Sequence, residues 1–88
     1  MNAVFLKSFL TDVRKLKNNT LRRSVAGAIT NVEASSSILE VKSCKRLSGH
    51  TDMYRIRLGD YRIGIKVAGV TVIFVRCLHR REVYRFFP

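Results

Sequence analysis

The chain predicts an α+β fold, with two N-terminal helices packed on a small antiparallel sheet of about four strands. Three observations predict it. Between residues 8 and 32 the apolar residues recur at helical spacing. From residue 52 onward they alternate with polar or charged ones, the period of a half-buried strand. Gly59-Asp60 and Gly69 then cut the alternating part into hairpin-sized pieces. At 88 residues the chain is sized for a single domain, 1–88.

The elements follow in order. Ala3-Val4-Phe5-Leu6, within Met1 to Leu6, forms a short apolar run compatible with a first strand. Ser8 is a candidate cap for a helix running through Lys17, with Phe9, Leu10, Val13 and Leu16 at helical spacing. Asn18-Asn19 interrupts it. Thr20 is the next candidate cap, and Leu21, Val25, Ala28, Ile29 and Val32 give a second amphipathic helix that ends near Ser35-Ser36-Ser37. Ile38 to Gly49 carries only weak signals, with Ile38-Leu39-Glu40-Val41 as a short extension. Asp52 to Val67 is the strongest pattern. Tyr54, Ile56 and Leu58 fall on one face of a strand, and Tyr61, Ile63, Ile65 and Val67 on the same face of its hairpin partner. Arg55, Arg57, Arg62, Gly64 and Lys66 fall on the other face. Val70 to Cys77 is apolar on both faces, as in a central strand. The segment from Leu78 to Pro88 is basic and aromatic together.

Lys and Arg number 17 against 6 Asp and Glu, a net charge of +11. That excess leaves the fold open and narrows the partners to nucleic acid, an anionic surface or an acidic protein. Cations on neighbouring strands repel, so a sheet face carrying Arg55, Arg57, Arg62 and Lys66 makes sense if it meets a polyanion. Arg14, Lys15, Lys17, Arg22 and Arg23 read as a solvated helix face. Cys44 and Cys77 have neither CxxC nor metal-ligand spacing, so they read as reduced structural thiols and no metal or other cofactor is expected. No apolar stretch reaches membrane-spanning length and no secretory leader stands at the start, so the expected location is the cytoplasm, without a membrane partner.

Three segments carry a resemblance: Lys-Arg-Leu-Ser-Gly at 45–49, Tyr-Arg-Ile-Arg-Leu-Gly-Asp-Tyr-Arg-Ile at 54–63, and His-Arg-Arg-Glu-Val-Tyr-Arg at 79–85. Following two helices in so short a chain, they resemble the RelE/ParE superfamily of bacterial type II toxins, which implies the RelE-like microbial ribonuclease fold. The RelE branch cuts mRNA in the ribosomal A site, the ParE branch poisons gyrase, and both are silenced by an antitoxin encoded beside them. The resemblance therefore implies three partners, the ribosome, its mRNA and a cognate acidic antitoxin. On the RelE side it implies a site made of Arg55, Arg57, Arg62, Arg80 (or Arg81) and Tyr84. Arg stands at both strand positions that the RelE pattern often fills with Lys.

That departure has chemical weight. Metal-independent RNA cleavage requires a proton to leave the 2′-hydroxyl, charge on the phosphorane to be stabilised, and the 5′-oxygen to be protonated. Arginine suits the second task, because its planar fork grips phosphate oxygens and stays charged. It does not suit the first. Base candidates are His79, on its intrinsic pKa of about 6.5, then Tyr84, then His50. Lys45, Arg46, Lys66, Arg81, Arg85 and Phe86 are expected to hold RNA through charge and stacking. The alternatives are a ParE-like gyrase inhibitor, a basic nucleic-acid-binding module without chemistry, and a toxin homologue silenced by its Lys-to-Arg changes.

Overall fold

A computed structural model describes Met1–Pro88. Five strands form one sheet: β1 (Asn2–Phe5), β2 (Cys44–Arg46), β3 (Met53–Leu58), β4 (Tyr61–Ala68) and β5 (Thr71–His79), in the order β1-β5-β4-β3-β2. The helices are α1 (Lys7–Arg14), α2 (Asn19–Ala34), a 3-10 turn at Ile38–Glu40, and a single turn, α3 (Val83–Phe86). The expected α+β class holds, with one strand more than about four. The sheet is also not wholly antiparallel, since β1 runs parallel to β5. The added strand is β2, three residues long and mostly charged, too short for alternation to reveal.

The β3–β4 and β4–β5 hairpins close with two-residue loops led by Gly59 and Gly69, at φ +57° and +60°. Glycine alone takes that conformation without strain. The apolar rows behave as the alternation demands. Ile56, Ile63, Ile65, Val72, Phe74 and Cys77 are buried with Val25, Ala28 and Val32 of α2 and Phe9 of α1 in one core. Each Val, Ile or Phe among them contributes roughly 1.5–3 kcal/mol by leaving water.

Two expected caps are corrected. Asn18, not Thr20, caps α2, its Oδ1 accepting from the Leu21 N–H at 3.1 Å. Ser8 makes no cap, and α1 stops at Arg14, short of Lys17. Instead the Ser8 hydroxyl donates to the Val75 carbonyl at 2.6 Å. Four residues along α1, buried Asp12 accepts from the Cys77 N–H at 3.0 Å and from Arg76 Nε and Nη2 at 2.7 and 3.1 Å. The cause is topological. β1 pairs with β5 only as far as Phe74, and a bulge near Gly64/Ile65 interrupts the ladder on β5's other side. Beyond Phe74, polar side chains of α1 satisfy backbone groups that a longer β1 would have paired. Arg22 is structural as well, donating to the Leu16 and Arg14 carbonyls and tying α1 to α2.

Candidate nucleic-acid interface

The helices cover one face of the sheet. On the other, cross-strand register brings the cations together. Arg57 lies opposite Arg62, Arg55 opposite Gly64, and Lys45 of β2 opposite Arg55. After β5 the chain turns back over this face, and α3 is held by two buried side chains, Val83 and Phe87. Between them Tyr84 stands 57% exposed. A groove of about 440 Å³ results, lined by Lys45, Arg46, His50, Arg55, Tyr84 and Phe87, among others.

Arg62 reports the local field. Its pKa is lowered, first by burial and then by the positive charges of Arg57, Arg55 and Arg80, with Tyr84 acting the other way. Arg55, Arg57, Arg80 and Tyr84 therefore each lie within electrostatic reach of Arg62, and of these five Arg55 and Tyr84 also line the groove. The repulsion is unrelieved by any carboxylate on Arg55, Arg57 or Arg62. Arg62 instead donates to the Gly59 and Tyr61 carbonyls at 2.6 and 2.8 Å, and Arg55 to the Ser43 carbonyl at 3.1 Å. These bonds fix the guanidinium heads and leave other N–H groups of each fork for a ligand. Arg80 is tied to the β3–β4 turn, its N–H donating to the Asp60 carbonyl at 2.7 Å with a loose ion pair at 3.8 Å. Of the two arginines offered by the sequence, Arg80 rather than Arg81 joins the cluster.

Not every expected residue joins. His79 lies opposite Tyr61 in the β4–β5 register, on the helix-covered side. Its ring packs edge-on against Tyr61 at 5.6 Å, and its Nδ1 accepts the Arg81 N–H. Strand alternation explains this, because Arg62 and Leu78, the next pair, face the opposite way. Phe86 turns from the groove and lies under the Arg76 guanidinium, 5.2 Å from ring centre to Cζ. His79, Phe86 and Arg76 line a second hollow with Asp12, Lys15 and Glu82. Lys66 shares the cationic face but stands two residues beyond Gly64, where it approaches Asp52 at 3.9 Å. Arg81 and Arg85 are exposed outside the groove. No three His, Cys, Asp or Glu side chains converge anywhere in a way that would hold a metal ion, and no helix is long and apolar enough to cross a membrane.

The sequence reading missed the Asp12–Arg76 pair and the part played by Gly64. A signal for the second was present, since glycine inside a strand marks a close approach.

Comparison with known proteins finds relatives over nearly the whole chain. The family described as "ParE toxin of type II toxin-antitoxin system, parDE" matches residues 3–84. Toxin RelE3 of Methanocaldococcus jannaschii is 38% identical over 89 residues, covering all of both chains. Among solved structures, the RelB-RelE antitoxin-toxin complex from Methanococcus jannaschii contains a chain similar at TM-score 0.80 and 37% identity, covering 97% of this chain and 99% of that one. The intact E. coli RelBE toxin-antitoxin complex gives TM-score 0.68 at 26% identity, over 86% and 92% of the two chains.

Proposed function

We propose that this chain, which belongs to the RelE/ParE superfamily of type II toxins, is a ribosome-dependent endoribonuclease that cuts mRNA in the A site by metal-independent attack of a 2′-hydroxyl. The observation that carries this reading is the gathering of Arg55, Arg57, Arg62, Arg80 and Tyr84 on the face left free by the helices. Such a face fits a sugar–phosphate backbone. Guanidinium forks bind the phosphate in the ground state and bind it more strongly as the phosphorane gathers charge.

The reaction balances without a cofactor. The 2′-oxygen loses its proton to a base and bonds to phosphorus, the P–O5′ bond breaks, and the 5′-oxygen takes a proton. A 2′,3′-cyclic phosphate remains. With His79 turned to the other side, proton transfer falls to the non-arginine titratable groups of the groove, Tyr84, His50 and Lys45. Tyr84 alone among these is also in the field of Arg62, so we assign it contact with the reacting sugar. Lys45 and Arg46 hold neighbouring phosphates.

An acidic antitoxin is the natural inhibitor of such a face. The net charge of +11 supports that partner, as do relatives solved as antitoxin-toxin complexes. Primer extension on mRNA bound to programmed ribosomes tests the nuclease directly. Wild type should give a new stop at the A-site codon, and Arg62→Ala and Tyr84→Phe should weaken it. Absence of a stop with folded, antitoxin-free chain would overturn the reading. The match to a family described as ParE favours one rival, gyrase inhibition. Loss of supercoiling with mRNA left intact would establish it instead.

A further inference from the structure

Gly64 sits in the interior of β4 with its backbone in the ordinary strand region, so no unusual dihedral requires glycine there. Its neighbours across the ladders are Arg55 and Arg76. In the middle of this cationic row the Phe87 ring lies flat on the Gly64 α-carbon. A β-carbon at Gly64 would fall 2.5 Å from Phe87 Cγ and Cδ2 and 2.8 Å from Cδ1, well inside contact distance. Phe87 is 1% exposed and Val83 is fully buried, and the Phe87 N–H closes the turn on the Val83 carbonyl at 2.8 Å. These two anchors, four residues apart, bracket Tyr84, which is 57% exposed.

We infer that Gly64 and Phe87 form a socket and plug that fixes α3, and with it Tyr84, over the arginine row, making Gly64 a positioning residue for the reaction. The catalytic part of this inference rests on the nuclease reading above; the socket itself does not. Any side chain at residue 64 competes with the ring for one space. Because the packing around Phe87 is tight, the ring must leave. Once it leaves, α3 keeps one anchor, and a single helical turn does not hold itself together in water.

The test is a double-mutant cycle on the full chain, using Gly64→Ala, Phe87→Ala and the two combined. The first readout is tryptic cleavage after Arg85, followed by mass spectrometry. Gly64→Ala should accelerate it about tenfold or more, the equivalent of about 1.4 kcal/mol of lost anchoring. The second is turnover on ribosome-bound mRNA, where kcat should fall about tenfold while KM changes little, since the phosphate-binding arginines remain. In the Phe87→Ala background, Gly64→Ala should cost nothing more in either readout. Unchanged protection of the Arg85 site in Gly64→Ala, or equal costs in both backgrounds, overturns the socket. A freed segment with unchanged kcat overturns the positioning role. Were Gly64→Ala to fail to fold, Phe87→Ala alone must still free the Arg85 site and lower kcat. If wild type cuts no mRNA, the nuclease reading falls and the tryptic arm still decides the socket.

Discussion

The two faces of the sheet are built on opposite terms. Under the helices, Val25, Ala28 and Val32 of α2 and Phe9 of α1 meet Ile56, Ile63, Ile65, Val72 and Phe74, and nothing charged intrudes except Asp12 with its partners at the β5 edge. On the far face, three arginines and two lysines line adjacent strands, and two side chains of one turn, Val83 and Phe87, are the buried apolar residues outside the main core. One face holds the fold and the other is held by it. The repulsion among Arg55, Arg57 and Arg62 destabilises the sheet locally, and only a core on the reverse side offsets it. Stability and chemistry should therefore separate by face when side chains are removed.

The largest effect is expected under the helices. Phe74 is fully buried and meets Phe5 and Phe9 at ring distances of 5.2 and 5.3 Å. Phe74→Ala should cost about 3–5 kcal/mol, a large share of the total for a domain of this size, read as a lowered urea midpoint. Next comes Arg62→Ala on the far face. Ribosome-dependent cleavage should fall about 10²–10³-fold, the loss typical for one transition-state charge contact. Stability should stay within about 0.5 kcal/mol of wild type. A cleavage defect in Phe74→Ala at equal folded fraction, or unfolding of Arg62→Ala, would break the separation.

The β5 edge sharpens the comparison, because polar groups there serve the fold. Asp12→Ala removes the acceptor of the Cys77 N–H and of both Arg76 donors. The Arg76 pKa is raised, mainly by its hydrogen bond to Asp12, so the pair favours the native state. The expected loss is about 1–3 kcal/mol, toward the lower part because the Arg76 side chain keeps 24% of its exposure and regains water. Asp12→Asn, which keeps an acceptor for Cys77, should lose about half as much by the same urea measurement.

What could be read without coordinates follows the same division. Alternation in Tyr54–Val67 placed Arg55, Arg57 and Arg62 on one face because period 2 is a local property of a strand. It could have placed His79 too. The register of β5 against β4 passes through a bulge, however, and the facing of residues beyond it depends on where that bulge falls. Ser8 read as a helix cap and Asp12 carried no signal, since nothing local reveals that β1 ends before β5 does. β2 was invisible because three mostly charged residues carry no period. Gly64 gave a signal, but its meaning lies 23 positions away at Phe87, and one chain's pattern does not record which side chain arrives.

The two cysteines give the smallest effect: both face the core, opposite Ile56 and Ile63, and they differ in which charge reaches them. Burial raises each thiol pKa from 9.0, Cys77 to about 12 and Cys44 to about 11. The secondary causes have opposite signs: Asp12 raises Cys77 further, while Arg55 pulls Cys44 down. Raised native values mean that the folded chain keeps protons the unfolded chain gives up. The stability they contribute is complete below about pH 9 and is lost as pH climbs through about 11 to 12. Iodoacetamide, which consumes thiolate, should therefore label Cys44 before Cys77 in the native state. Arg55→Gln should slow Cys44 labelling about 2- to 5-fold, the range of a partly exposed charge pair, and leave Cys77 unchanged. Equal slowing of both thiols would mean that the field of Arg55 spreads across β4 to β5 instead of ending at the neighbouring strand, and the core under β5 would no longer be electrostatically distinct from the cationic face.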